Sequence, residues 1–159
     1  MPENLIAEEW SLVFLSCTSL KTVTIPSGIS DPSIVASLFF VNDIETVYWN
    51  SPAFNESVLK VFNKALIIDA NGGYVTGSHL YTEAKVFPYP DDFIPPENMC
   101  RFKEFNDSRD GGQTSYLPGD EHNFKAKRVF AIWERPQITF DVNDPELGSI
   151  DSSGPISVD

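Results

Sequence analysis

Proline punctuates this chain so often that long helices are excluded. Twelve prolines are scattered over 159 residues, and inside a helix each would remove a backbone donor and clash with the preceding turn. What they leave is a series of short segments, most with strand character. The clearest is KALIIDANGGYVTGSHLYTEAKVF, residues 64–87. Residues 65–68 form a brief apolar run ending in two β-branched side chains. Residues 69–73 follow with turn formers able to take positive φ, and Tyr74, Val75 and Thr76 restart a strand. The pattern predicts a central hairpin.

With 42% hydrophobic and 13% aromatic residues, the chain has enough apolar surface for one folded domain of ordinary size. No apolar stretch approaches the roughly 18 residues of a membrane-spanning helix. The opening MPENLIAEEW lacks the basic start and apolar run of a signal peptide, so a cytoplasmic location is expected.

Residues 9–18 are apolar on both sides, as in a strand buried between two layers. Residues 21–26, KTVTIP, alternate cleanly and end at Pro26-Ser27-Gly28, with a hairpin expected from Leu20 back onto the first strand. Residues 34–41 and 44–49 flank Asn42-Asp43 and read as a second hairpin. A competing helix over 33–40, capped by Asp31 with Pro32 at its first position, ranks lower because of Ile34-Val35 and Phe39-Phe40. Residues 54–63 are the best remaining helix, capped by Asn55. A strand is expected at 83–87. Residues 88–99 hold four prolines and read as a stiff crossing loop carrying Tyr89 and Phe93. A short strand at 100–105, a long polar loop at 106–120, and strands at 124–134 and 137–142 complete the domain. The sum is an all-β fold, a β-sandwich or jelly-roll-like barrel with at most one or two short helices. It is expected to span residues 9–142, between an arm at 1–8 and an acidic extended tail at 143–159.

A formal net charge of −12 opposes sustained binding to nucleic acid and suits partners with basic surfaces. Lys125, Lys127 and Arg128, with Arg101 and Lys103 on another strand, read as a solvated or edge-strand face. His79 and His122 are isolated from each other and from both cysteines, and no CxxC or HExxH occurs. Calcium-loop registers starting at Asp69, Asn106 and Asp141 all fail, though a non-motif calcium in the 106–120 loop stays open. No metal or other cofactor is expected. Cys17 and Cys100 fall in predicted apolar strands, where a thiol is inert packing. GxSxG is absent, and neither Gly72-Gly73 nor Gly111-Gly112 is followed by the Lys of a phosphate loop. The expectation is a protein without catalysis. The sequons at Asn55 and Asn106 read as chance tripeptides.

Aromatic residues are the enriched resource, and Tyr74, Tyr81, Tyr89, Phe93 and Tyr116 fall in or beside loops. They read either as rings of a sugar-binding face, with Asp120, Glu121 and His122 near Tyr116, or as anchors that pin loops to the sheet or to a subunit contact. In its N-terminal arm, its acidic tail and stretches such as KTVTIPSGISDPS and ALIIDANGGYVTG, the chain resembles the small all-β accessory proteins of virus and phage particles. These are decoration, cement, neck and fibre-base subunits. The resemblance is one of style over the whole chain, with no motif match. It implies a non-catalytic structural subunit that oligomerises or joins capsid or tail proteins, made in the host cytoplasm and resident in the virion. Tyr89, Phe93 and Tyr116 in the loops, with Leu147, Ile150 and Ile156 in the tail, are the expected partner-binding residues. The alternative is a carbohydrate- or receptor-binding β-module. Neither reading involves a nucleic acid or a membrane.

Overall fold

The computed structural model describes residues 14, 17–39, 43–75, 86–89, 93–99, 101–135, 137–138 and 156–157. Strand outweighs helix among them, and the strands organise around a mixed six-stranded sheet. Its first half is a regular alternation: β1 (Thr22–Ile25), α1 (Pro32–Leu38), β2 (Thr46–Trp49), α2 (Glu56–Val61) and β3 (Leu66–Asp69). The three strands pair in parallel, Val23 with Val47 and Val47 with Ile67. A parallel pair needs a crossover, and the two short helices supply it.

This replaces the second expected hairpin. Residues 32–38 are helix, the reading that ranked lower, because the start signals outweigh β-branched propensity. Asp31 Oδ1 accepts a hydrogen bond from Ser33 N at 2.9 Å, and Pro32 opens the first turn where no donor is needed. The 54–63 helix forms as expected, with Asn55 Oδ1 accepting from Ser57 N at 3.0 Å. That sequon is therefore a working helix cap.

The central hairpin does not form, although its turn does. Gly73 N donates to Ala70 O at 3.0 Å, and Asn71 and Gly72 both have positive φ, +49° and +90°. Those signs are those of a type I′ turn. However, β3 is already paired on both edges, with β2 on one side and β8 (Lys127–Glu134) on the other. Tyr74 and Val75 (β4) cannot add to it. They pair instead with Phe93 and Ile94 (β5) in a separate two-stranded sheet.

Beyond β8 the sheet continues antiparallel through β6 (Arg101–Asn106) to β7 (Ser115–Tyr116). Among the described strands it is not closed, and β1 and β7 are its edges. A β-bulge between Phe102 and Glu104 shifts the register of β6. The extra residue brings Phe102 and Phe105, which simple alternation would separate, onto one face with ring centroids 4.7 Å apart.

The strict period of two divides the core in two. On one face Val47, Trp49 and Ile67 pack under Val35, Phe39, Val58 and Phe62 of the helical side. On the other, Tyr48, Leu66, Ile68 and Val129 pack under Val75 and Phe87, with Phe93, Tyr116 and Phe124 at the margin. Because β2 and β3 are covered on both faces, every residue in them is buried.

One further short pair lies elsewhere: β9 (Gln137–Ile138) and β10 (Ile156–Ser157) run antiparallel, so part of the tail returns to its own chain. Most of the expected first strand at 9–18 and residues 83–85 of the 83–87 strand lie outside the described residues, while Val86 makes an isolated antiparallel bridge to Glu121. Cys17 is exposed beside a turn rather than packed in an apolar strand. The basic cluster is corrected in part: Arg101, Lys103 and Lys125 are exposed, whereas Lys127 and Arg128 stand on an interior strand, half-buried and ion-paired.

Candidate functional site

Parallel strands that share a direction also share an exit. The chain leaves β1 through Pro26-Ser27-Gly28, β2 through Asn50-Ser51-Pro52, and β3 through Ala70-Asn71-Gly72-Gly73, all at the carboxyl edge of the sheet. These exits line a cleft of ≈ 500 Å³, bounded also by Asp69 and by Arg109 from the β6–β7 loop.

Its floor is built by side chains that replace missing backbone partners. Asn50, buried, donates from Nδ2 to Val75 O at 2.9 Å and accepts at Oδ1 from Val75 N at 2.7 Å. One amide thus gives β4 the paired bonds that β3 cannot provide. Ser51 Oγ donates to Ile29 O and accepts from Ala53 N, fixing the β2 exit against the β1 exit. Asn71 Nδ2 donates to Arg109 O and to Ala131 O, both at 3.0 Å, tying the β3 turn to the β6–β7 loop and to β8. Trp133 Nε1 donates to Ala70 O at 2.9 Å from below. Gly73 is required by this contact: a Cβ there would stand 2.4 Å from Trp133 Cζ2 and 2.6 Å from Ile94 O.

Two guanidinium groups converge on the Phe130 ring. Arg128 lies 4.7 Å from its centroid and 3.7 Å from that of Phe54, and Arg109 lies 5.7 Å from Phe130. Their charges are disposed differently. Arg128 Nε donates to Asp69 Oδ2 at 2.9 Å and Nη2 to the same oxygen, while Asp69 Oδ1 accepts from Asn71 N at 2.8 Å. Both oxygens of this buried carboxylate are therefore committed. Arg109 is exposed, and among the described residues it has no carboxylate partner.

The expected partner-binding residues separate. Phe93 is half-buried, with its ring centroid 5.1 Å from Phe102 and 5.7 Å from Phe105. Tyr116 stacks on Phe87 at 5.0 Å, accepts from Lys127 Nζ at 2.9 Å and donates to Asp107 Oδ2 at 3.0 Å. Tyr89 is 54% exposed and its hydroxyl abuts Gly119. Ile156 lies on β10, whereas Leu147 and Ile150 fall outside the described residues. None of Tyr89, Phe93 and Tyr116 lines the carboxyl-edge cleft.

Beside Tyr116, His122 is buried between Phe87 and Phe124, stacked 5.6 Å from the latter, with Nδ1 unpartnered. Burial lowers its pKa from the ordinary 6.5 and favours the neutral ring. For Lys127 burial opposes the charge, but the bonds to Asp107 and Tyr116 outweigh it and raise its pKa. No group of three or more His, Cys, Asp or Glu side chains able to hold a metal occurs among the described residues. The 106–120 loop is organised by Asn106 instead. This fully buried amide donates to Gly111 O and Gln113 O and accepts from Ser108 N and Gln113 N. His79 and Cys100 lie outside the described residues, and no helix among those described is long and apolar enough to cross a membrane.

Comparison with protein-family models, with curated proteins and with solved structures finds no match.

Proposed function

We propose that the protein is a non-catalytic binding module whose carboxyl-edge cleft receives a small polar ligand. The observation that supports this is the lining of the cleft at that position. Parallel strands end there together, so loop backbones and short polar side chains converge where an open α/β sheet ordinarily holds its ligand. Asn50, Ser51, Asn71 and Asp69 are held in place by hydrogen bonds, so the cleft is preorganised. Among the described residues its lining has no His, Cys or Lys, and the Asp69 carboxylate is tied to Arg128. A hydroxyl without a base beside it is a hydrogen-bonding group rather than a nucleophile. The test is to follow the backbone amides of residues 50–52 and 71–73 by NMR while the full chain meets neutral saccharides, nucleosides, amino acids and small anions. Shifts confined to those amides are expected with one class. A set of ligands that moves none of them refutes the cleft as a binding site.

A second reading, the virion-accessory subunit, keeps one specific observation. Tyr89, Ile94 and Leu117 are large, apolar and more than half exposed, at 54%, 59% and 56%, as side chains held for a partner would be. In this reading β4–β5 and the 86–89 segment form the second layer of a sandwich-like subunit, and the exposed residues meet neighbouring capsid or tail proteins. Light scattering on the wild type and on Tyr89→Ser/Leu117→Ser decides it. A defined oligomer lost in the variant supports the reading, and a monomer in both rejects self-assembly.

A further inference from the structure

We infer that the ligand of the carboxyl-edge cleft is anionic and presents a phosphate or carboxylate group to Arg109. The inference rests on the binding-module reading and adds the chemistry. In a chain of net charge −12, one charged group of this cleft is uncompensated among the described residues, and it is positive. Asp69 is matched by Arg128 through two hydrogen bonds to one oxygen, and its other oxygen by Asn71 N. Arg109 has no such match among the described residues, yet it is not a loose surface cation. Its carbonyl is held by Asn71 Nδ2 at 3.0 Å and its guanidinium lies over Phe130, 5.7 Å from the centroid. A cation–π contact of this kind restrains the guanidinium, whose N–H groups have no hydrogen-bond partner among the described residues, and its planar fork matches the paired oxygens of phosphate and carboxylate. In the same lining Gly72 is exposed, and the space where a Cβ would project meets nothing nearer than Pro96 at 3.8 Å. A ligand can therefore approach the backbone of the turn closely. Ser27 completes the rim with a hydroxyl.

The experiment titrates the full chain with inorganic phosphate, with citrate and with a neutral hexose at constant ionic strength, reading the amides of residues 71–73 and 109. One of the two anions is expected to bind in the millimolar range or tighter, and which one responds separates a phosphate from a carboxylate source. Arg109→Gln should weaken that binding by about tenfold or more, while Arg101→Gln, an exposed cation away from the cleft, should leave it unchanged. Equal binding by Arg109→Gln and wild type overturns the inference. So does a response to the hexose alone, which keeps the cleft as a neutral-ligand site. No response to any probe below about 10 mM removes both the anion and, for these classes, the site.

Discussion

Gly73→Ala isolates the packing on which the cleft is built. Gly73 does not have positive φ, so alanine suits its backbone and the effect of the change is steric. The added methyl would sit 2.4 Å from Trp133 Cζ2, 2.8 Å from Cε2 and 2.6 Å from Ile94 O. The indole has to move, and with it goes the 2.9 Å bond from Nε1 to Ala70 O. Overpacking of a filled core costs about 1–3 kcal/mol, and the buried indole N–H left without its acceptor about 1–3 kcal/mol more. We expect a loss of about 2–6 kcal/mol, a large share of the roughly 5–15 kcal/mol that holds an ordinary domain together. Urea unfolding followed by tryptophan fluorescence reads it directly. Adding Trp133→Phe should recover only part, because Ile94 O is backbone and cannot yield as a side chain does. Gly72→Ala serves as the contrast. There the space is open but φ is +90°, so the cost is conformational and about 1 kcal/mol. A loss at Gly73 below about 0.5 kcal/mol, or full recovery with Trp133→Phe, would refute the reasoning. Should Gly73→Ala fail to fold, Trp133→Phe alone tests the lost hydrogen bond.

Three further outcomes are expected. Asn50→Ala leaves the N–H and C=O of Val75 unpaired at the cleft floor, and urea unfolding should show a loss of about 2–4 kcal/mol; a loss under 1 kcal/mol would mean that water replaces the amide. Asp69→Asn leaves Arg128 without its anion and should cost about 2–4 kcal/mol, less than a fully buried pair because Arg128 keeps some solvent; a change that tracks added salt like a surface pair would contradict the buried geometry. His122 has a lowered folded pKa, so the unfolded chain takes up the proton first. The stability tied to its neutral ring is complete above the unfolded value of 6.5 and is lost as pH falls through that value toward the folded one. His122→Phe should flatten this part of the urea-midpoint profile between about pH 7.5 and 5, and an unchanged profile would show that other groups cause it.

Local signals in the sequence are legible where a side chain acts on its own backbone. Asn55 as a helix cap, Asn71-Gly72 as a tight turn, and Thr22–Ile25 as an alternating half-buried strand are all present. What pairs with what was not legible. The hairpin at 64–75 failed because β8, far along the chain, takes the edge of β3 that a hairpin would have used. Asp31-Pro32 carried a helix start that was outweighed by two β-branched residues, although helix caps and first-turn prolines act on the backbone more directly than propensity does. Of the cleft, Asn71, Gly72 and Gly73 were visible as a turn. Asn50 and Arg109 gave no sign, because their roles depend on contacts to Val75 and Phe130. Asn106 matched a sequon, yet its amide is the buried centre of its loop.

The place of β8 has a consequence in time. The β1–α1–β2–α2–β3 block is continuous in sequence, with each strand beside its successor, so its contacts close over short loops. The strand that seals it arrives late: Asp69 meets Arg128 across 59 residues. During synthesis the block therefore emerges first, with the apolar Leu66-Ile67-Ile68 edge unpaired and open to other chains. Slow elongation between residues 70 and 126 should favour aggregation and fast elongation should suppress it. Pulse-labelled hydrogen exchange during refolding should protect the β2–β3 amides before those of β3–β8; simultaneous protection would mean that the sheet closes in a single step.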